Sequence, residues 1–211
     1  MAVLGVGPAA HATTYEPLTL AQQSAVAPVI VEARITKTRY RVLDDGYPVR
    51  EILLEPIRAI RLSDATRELW LGLPGGYDRD GGWWGEGYPE FDTGQVLLVF
   101  ARPKKDGVLI TVGGPQSFFV QGQRKGDSIA RDADGNPIVD DGCKTSPLIA
   151  RPEDQAPIGE VRGGEDGLPA ITPSDRMFVA DPTALALAWT DFSDQVAECV
   201  ASNPRTVEGG R

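Results

Sequence analysis

Apolar residues Val29, Val31, Ala33 and Ile35 alternate with Ile30, Glu32, Arg34 and Thr36, the period-two pattern of a half-buried strand running on toward Tyr40. Asp44-Asp45-Gly46 supplies a turn, and residues 49–62 read as a second long strand whose apolar phase shifts near Glu55-Pro56. A one-residue insertion flips the buried face and proline cannot donate to a central ladder, so the phase shift predicts a β-bulge. Long bulged strands bend, as a barrel requires. A third strand spans residues 68–73 and is broken by Pro74-Gly75-Gly76, after which residues 75–94 form a Gly- and aromatic-rich loop. Residues 96–100 and 108–112 make a hairpin over residues 102–107, where Asp106-Gly107 is a strong turn signal. The first arm of that hairpin is apolar on both faces, which predicts a central strand. Shorter strands follow at 118–120, 128–131 and 137–139, the last two turning over Asp132-Ala133-Asp134-Gly135.

The helical pattern is confined to the two ends. Thr19-x-x-Gln22 is a capping box that opens a short helix from Leu20 to about Val26, and Pro28 ends it. Asp181-Pro182 offers an N-cap and a proline at the first helical position. Leu185, Trp189, Phe192, Val196 and Val200 then share one helical face, with Trp189 and Phe192 as expected anchors, and Asn203-Pro204 stops the helix. Residues 142–175 are rich in Pro, Gly and Glu and lack any period, which predicts a long surface excursion. This order predicts a mainly β fold: a five-stranded OB-like barrel with an added β-hairpin, a short N-terminal helix and a C-terminal amphipathic helix. The chain divides into a remnant signal peptide at 1–12, the barrel with its hairpin at 13–141, a polar extended segment at 142–180 and the C-terminal helix at 181–203.

Composition sharpens the compartment. Seventeen Pro and 24 Gly among 211 residues cut the chain into short segments, which suits strands and turns. The formal net charge of −9 repels polyphosphates and anionic lipid surfaces, so neither nucleic acid nor a membrane is the expected partner. Residues 2–12 are apolar and end in Ala10-His11-Ala12, an A-x-A cleavage signal before Thr13. They read as the tail of a secretory signal peptide whose charged region lies upstream of Met1, or else as an Ala/Gly-rich N-terminus outside the fold. No stretch reaches the apolar length of a membrane helix, so a soluble, secreted or periplasmic protein is expected. The two cysteines, Cys143 and Cys199, are then expected to form one disulfide worth roughly 3–4 kcal/mol, the other reading being two buried thiols.

Candidate chemistry is sparse. The only His is His11, within the segment expected to be removed, so triads, His metal sites and His general bases are not expected in the mature chain. No phosphate-binding or dinucleotide motif and no nucleophile elbow occurs, and no cofactor is expected. Asp132 and Asp134 could donate oxygens to Ca²⁺, but their spacing departs from the EF-hand loop and a plain hairpin turn accounts for them. The loop holding Trp83, Trp84, Glu86, Tyr88, Glu90 and Asp92 is the most site-like segment, because aromatics beside carboxylates can hold a sugar or peptide. The same aromatics could fold onto the barrel end. Arg34, Lys37, Arg39, Arg41, Arg58 and Arg61, with Tyr40, could imitate an OB nucleic-acid face, and are read here as a solvated, edge-protecting strand face.

A family resemblance rests on three runs: Val29-Ile30-Val31-Glu32-Ala33-Arg34-Ile35, then Leu73-Pro74-Gly75-Gly76, then Pro89-x-Phe91-x-x-Gly94-Gln95-Val96-Leu97-Leu98-Val99-Phe100. With Arg131-Asp132-Ala133-Asp134-Gly135 they resemble a class of uncharacterised exported bacterial domains, in which Glu usually stands where Gln95 stands here. The resemblance covers roughly residues 18–140 and implies fold rather than activity. A more distant likeness is to netrin-like, metalloprotease-inhibitor OB modules, whose N-terminal zinc-chelating Cys has no counterpart here. The expected function is therefore a non-catalytic, exported interaction or accessory module whose partner is an envelope or extracellular protein. The alternatives are a carbohydrate-binding module using residues 83–92, with a glycan as partner, and a protease-inhibitor-like OB domain.

Overall fold

The computed structural model describes residues 18–43, 47–62, 68–77, 82–84, 88–139, 143, 149–150, 179–180 and 186–204. The chain opens with helix α1 (Leu20–Val26), followed by strands β1 (Val29–Val42), β2 (Pro48–Arg61), β3 (Leu69–Tyr77), β4 (Gly82–Trp84), β5 (Val96–Pro103) and β6 (Leu109–Thr111). A 3-10 turn (Gly114–Ser117) leads into β7 (Phe118–Arg124) and β8 (Asp127–Arg131), and helix α2 (Trp189–Ser202) closes the described chain. Between β8 and α2, Ile149–Ala150 pairs in parallel with Val179–Ala180, two short strands within the 142–180 segment expected to be polar and extended.

Five strands close into a barrel. β1 pairs antiparallel with β2 and β2 with β3; β3 runs parallel to β6; β6 pairs with β5; and β5 returns to β1. This 1-2-3-5-4-1 circuit, counting barrel strands in chain order, is the OB topology that the sequence predicts. Closure needs bent strands, and the β1–β2 ladder supplies three register shifts, after Ile30, Glu32 and Ile35. One of them skips Ile57, next to Pro56, where the apolar phase slips. β3 pairs β2 only between Val49 and Leu54, so Pro56 falls where β2 has a single described neighbour.

Two hydrophobic cores lie back to back across β1 and β5. Inside the barrel, Val31, Ala33, Ile35, Leu71, Leu97 and Val99 are buried with Phe91 and Phe118 as the large fillers. Outside it, Ile30, Leu98, Phe100 and Phe119 pack against Leu20 of α1 and Trp189, Phe192, Val196 and Val200 of α2. Alternate residues of a strand face opposite ways, so Phe118 enters one core and its neighbour Phe119 the other. β5 is apolar on both faces because each face meets a core, as its sequence predicts.

Three features settle the outer core. Thr19 and Gln22 make the predicted capping box on α1. Cys143 and Cys199 form a disulfide, their Cα atoms 5.7 Å apart, joining the chain beyond β8 to α2. On the barrel wall, Glu32 accepts hydrogen bonds from Trp189 Nε1 (2.8 Å) and Ser193 Oγ (2.7 Å), fixing how α2 lies.

Two expectations change. α2 begins at Trp189, with Ala188 as an extended N-cap (φ −60°, ψ 144°), rather than at Asp181. Residues 186–188 are held instead by strand-like hydrogen bonds, Leu187 N donating to Ile138 O (2.8 Å) and Ala130 N to Leu187 O (3.0 Å). Asp181–Leu185 lie outside the described residues. β3 also continues through Pro74-Gly75-Gly76 instead of breaking, and Gly75 and Gly76 pair with Trp84 and Trp83 of β4. Both glycines have positive φ (106° and 150°), so the chain bends without ending the strand. No helix among the described residues is long and apolar enough to cross a membrane.

Candidate binding site

On the outer wall of the barrel, β2, β3 and β6 form the floor of a cleft of about 380 Å³ between the β1–β2 connection and the β5–β6 turn. The floor and walls are aliphatic: Leu43, Pro48, Val49, Leu73, Pro74, Val108 and Ile110. Gly72 lies in the floor, and a Cβ there would sit 3.1 Å from Val108 Cγ1, so the missing side chain helps keep the cleft open. Tyr47, 60% exposed, stands at one lip. The charged groups of the lining are Arg41, Lys104 and Asp106, all exposed, and the buried Glu51, which lies beside Gly72 across the β2–β3 ladder.

Glu51 has no exposed surface, and a buried carboxylate is costly without partners. Register supplies them, because the shift after Ile35 brings Arg39 opposite Glu51 and Arg41 opposite Val49. Arg39 Nε donates to Glu51 Oε2 at 2.6 Å, and Arg41 Nη2 lies 2.7 Å from Oε1, close but off the hydrogen-bonding direction. Arg39 also stacks over the Trp70 ring, 3.8 Å from its centroid, while Trp70 Nε1 donates to Glu68. From the same position Arg41 reaches Asp106 Oδ2 at 3.3 Å and thereby spans the cleft to the β5–β6 turn.

That turn is built by Asp106 and Gly107. Gly107 adopts φ 84° and donates to Lys104 O, and Asp106 Oδ1 accepts from Val108 N at 3.1 Å. The Val108 hydrogen bond, with Arg41 behind it, holds the Asp106 carboxyl below its ordinary range. Among the described residues lining the cleft there is no Ser, Thr, Cys or His, and most of the lining is aliphatic.

The loop singled out from sequence lies elsewhere. Tyr88 packs on Phe118 (centroids 6.0 Å apart) and its hydroxyl lies 3.4 Å from Thr111 Oγ1, while Phe91 is buried edge-on against Phe118 at 5.2 Å. Arg50, only 2% exposed, donates to Pro89 O and lies 5.7 Å from the Phe91 ring. Burial pushes its guanidinium below the ordinary arginine value. These contacts fasten residues 88–91 onto the barrel end. Glu90 and Asp92 are exposed, and Asp92 N takes a hydrogen bond to Gln95 Oε1 at 2.9 Å. A Glu at 95 could accept the same bond. Trp83 and Trp84 belong to β4, and their side chains, like Glu86, lie outside the described residues.

The remaining candidates are structural. Asp132 accepts from Asn136 N (2.7 Å) and Asn136 Nδ2 (3.0 Å), closing the predicted turn, while Asp134 is exposed. Among the described residues no group of three His, Cys, Asp or Glu could hold a metal. Of the cationic set, Arg58 pairs with Asp194, Arg34 donates to Gly94 O, and Arg61 donates to Ser24 O, Ala27 O and Asn203 O, tying the ends of both helices together. Lys37 and Tyr40 are exposed.

No protein-family model, curated protein or solved structure matches the chain significantly.

Proposed function

We propose that this chain is a non-catalytic interaction module of the cell envelope or extracellular space, and that it holds a partner protein in the cleft between the β1–β2 and β5–β6 connections. The observation that carries the reading is the open aliphatic cleft on the β2–β3 wall, the face and loops with which OB barrels bind their ligands. The Cys143–Cys199 disulfide supports an oxidising compartment. A protein partner is favoured over a glycan at this cleft because most of the described lining is aliphatic, with Tyr47 its one aromatic residue. Within the 83–92 loop of the carbohydrate reading, Tyr88 and Phe91 are used for packing, while the side chains of Trp83 and Trp84 lie outside the described residues.

The test is affinity capture from the native envelope or secretion fraction with wild-type chain and Gly72→Val in parallel. Valine fits a strand but puts side-chain atoms against Val108 and narrows the cleft. A stoichiometric protein retained by wild type and lost by Gly72→Val, with the melting temperature kept, is the expected result. A protein retained equally by both, or glycan alone retained, overturns the reading.

A further inference from the structure

β1 outruns the strand on one of its flanks. β5 pairs with it from Val29 to Arg34, Ile35 N donates to Gln95 O (2.9 Å) and Gly94 N donates to Ile35 O (2.8 Å), and beyond that no described segment pairs with β1 on this flank. β2 holds the opposite flank through Val42. Antiparallel pairs alternate between bonded and non-bonded, and Leu43 N donating to Tyr47 O (2.8 Å) sets the phase, so Lys37, Arg39 and Arg41 direct their backbone groups to β2. Those of Thr38 and Val42 point the other way and have no partner among the described residues. Residues 37–42 are all exposed, on both faces of the strand, with Tyr40 at 46% and Val42 at 49%. Outward N–H and C=O groups along an exposed strand are a template for another strand.

We infer that this edge takes an added strand from a partner protein, an extended segment in which carboxylate and apolar side chains alternate. A second copy of the chain is a poor occupant. Antiparallel pairing centred on Tyr40 sets Arg39 of each copy opposite Arg41 of the other, and parallel in-register pairing sets each cation against its own kind. On the β2 side, Glu51 answers Arg39 and Arg41, and the exposed Glu55 stands opposite Arg34. Lys37 has no carboxylate within 4.0 Å among the described residues, and it lies at the barrel end of the edge, away from the β1–β2 connection. An added strand sets a carboxylate beside Lys37 on one face, while its alternate side chains lie against Tyr40 and Val42 on the other. Of residues 37–42 only Arg41 lines the cleft, so the two surfaces can be tested apart.

The experiment is an NMR titration of the full chain, with amide exchange followed residue by residue, using short peptides that alternate Val with Glu, with Gln or with Lys. The Glu peptide should bind tightest and the Lys peptide weakest, and exchange at the Thr38 and Val42 amides should slow on binding. Lys37→Glu should weaken the Glu peptide roughly two- to fivefold and favour the Lys peptide by a similar factor. Thr38→Pro removes an outward donor and leaves the β1–β2 bonds in place, so it should abolish binding with the melting temperature kept. If that variant does not fold, amide protection in the wild-type chain decides. Gly72→Val should bind the Glu peptide as wild type does. Binding of no peptide, or binding without protection of Thr38 and Val42, overturns the inference. Equal binding of all three peptides overturns the alternating carboxylate chemistry. A dimer of the chain alone, lost in Thr38→Pro, overturns the partner in favour of a second copy. Binding lost in Gly72→Val and kept in Thr38→Pro moves the peptide to the cleft and overturns the edge, whereas failure of the capture experiment overturns the cleft and leaves the edge standing.

Discussion

A carboxylate with no exposed surface in a barrel wall is a costly choice unless cations answer it, and Glu51 is answered by Arg39 and Arg41. The cations singled out as a strand-protecting set are thus partly committed to one buried anion, a role their alternation along β1 could not reveal. Gly72 was equally silent, because a glycine in a strand signals a bulge or a close approach and only the fold distinguishes a cleft floor from either. Asp132 is a different case: Asp-x-Asp-Gly announced its turn, but burial raises its carboxyl above the ordinary value. Raised in the folded state, it binds its proton more tightly there than unfolded. Its contribution is therefore present below the ordinary carboxylate value and is lost as pH rises through the folded value. Asp132→Asn, which keeps an oxygen for Asn136 N, should remove that fall. Urea denaturation of both proteins from below the ordinary carboxylate value up to neutral pH checks it, the variant's stability relative to wild type rising with pH.

At the scale of elements, the strands that could be read were those facing a core on alternate or on all positions. β1, β2 and β5 carried such patterns, and with them the barrel order. β4 did not, being three residues opposite two glycines. The start of α2 was misplaced because Asp181-Pro182 is a local cap signal, whereas the backbone of 186–188 is claimed by Ile138 and Ala130 from a distant segment. The anchors were legible all the same: Phe192 has no exposed surface and meets the Phe119 ring at 4.9 Å. Phe192→Ala should cost about 3–5 kcal/mol, read as a lower denaturation midpoint with an unchanged slope. Leu187, half-buried outside the helix, should tolerate alanine better.

For the molecule as a whole, α2 is joined to the body by several unlike devices, among them its apolar face, the Glu32 acceptor pair, the Arg58–Asp194 ion pair and the disulfide. The disulfide closes a loop with a sequence separation of 56 residues, for which the chain-entropy relation gives roughly 4 kcal/mol. Cys143→Ser with Cys199→Ser should therefore lower unfolding free energy by about that amount, and dithiothreitol should shift the wild-type melt toward the double variant while leaving the variant's own unchanged. The cysteine pair was readable because only two exist. The cleft was not, because its walls come from two connections far apart in the chain, Arg41 and Asp106 being 65 residues apart, and no run of residues contains them.

The shared wall between the two cores also imposes a schedule on a chain delivered from its N-terminus. All five barrel strands are complete by Thr111, whereas the helix that covers the outer faces of β1 and β5 begins at Trp189. Until that helix arrives, Ile30, Leu98 and Phe100 lack the Trp189, Phe192, Val196 and Val200 side chains that complete their core. A helix made long after the barrel is therefore what completes the cover over these side chains, and the cysteine bond that secures it cannot form until Cys199 has been delivered.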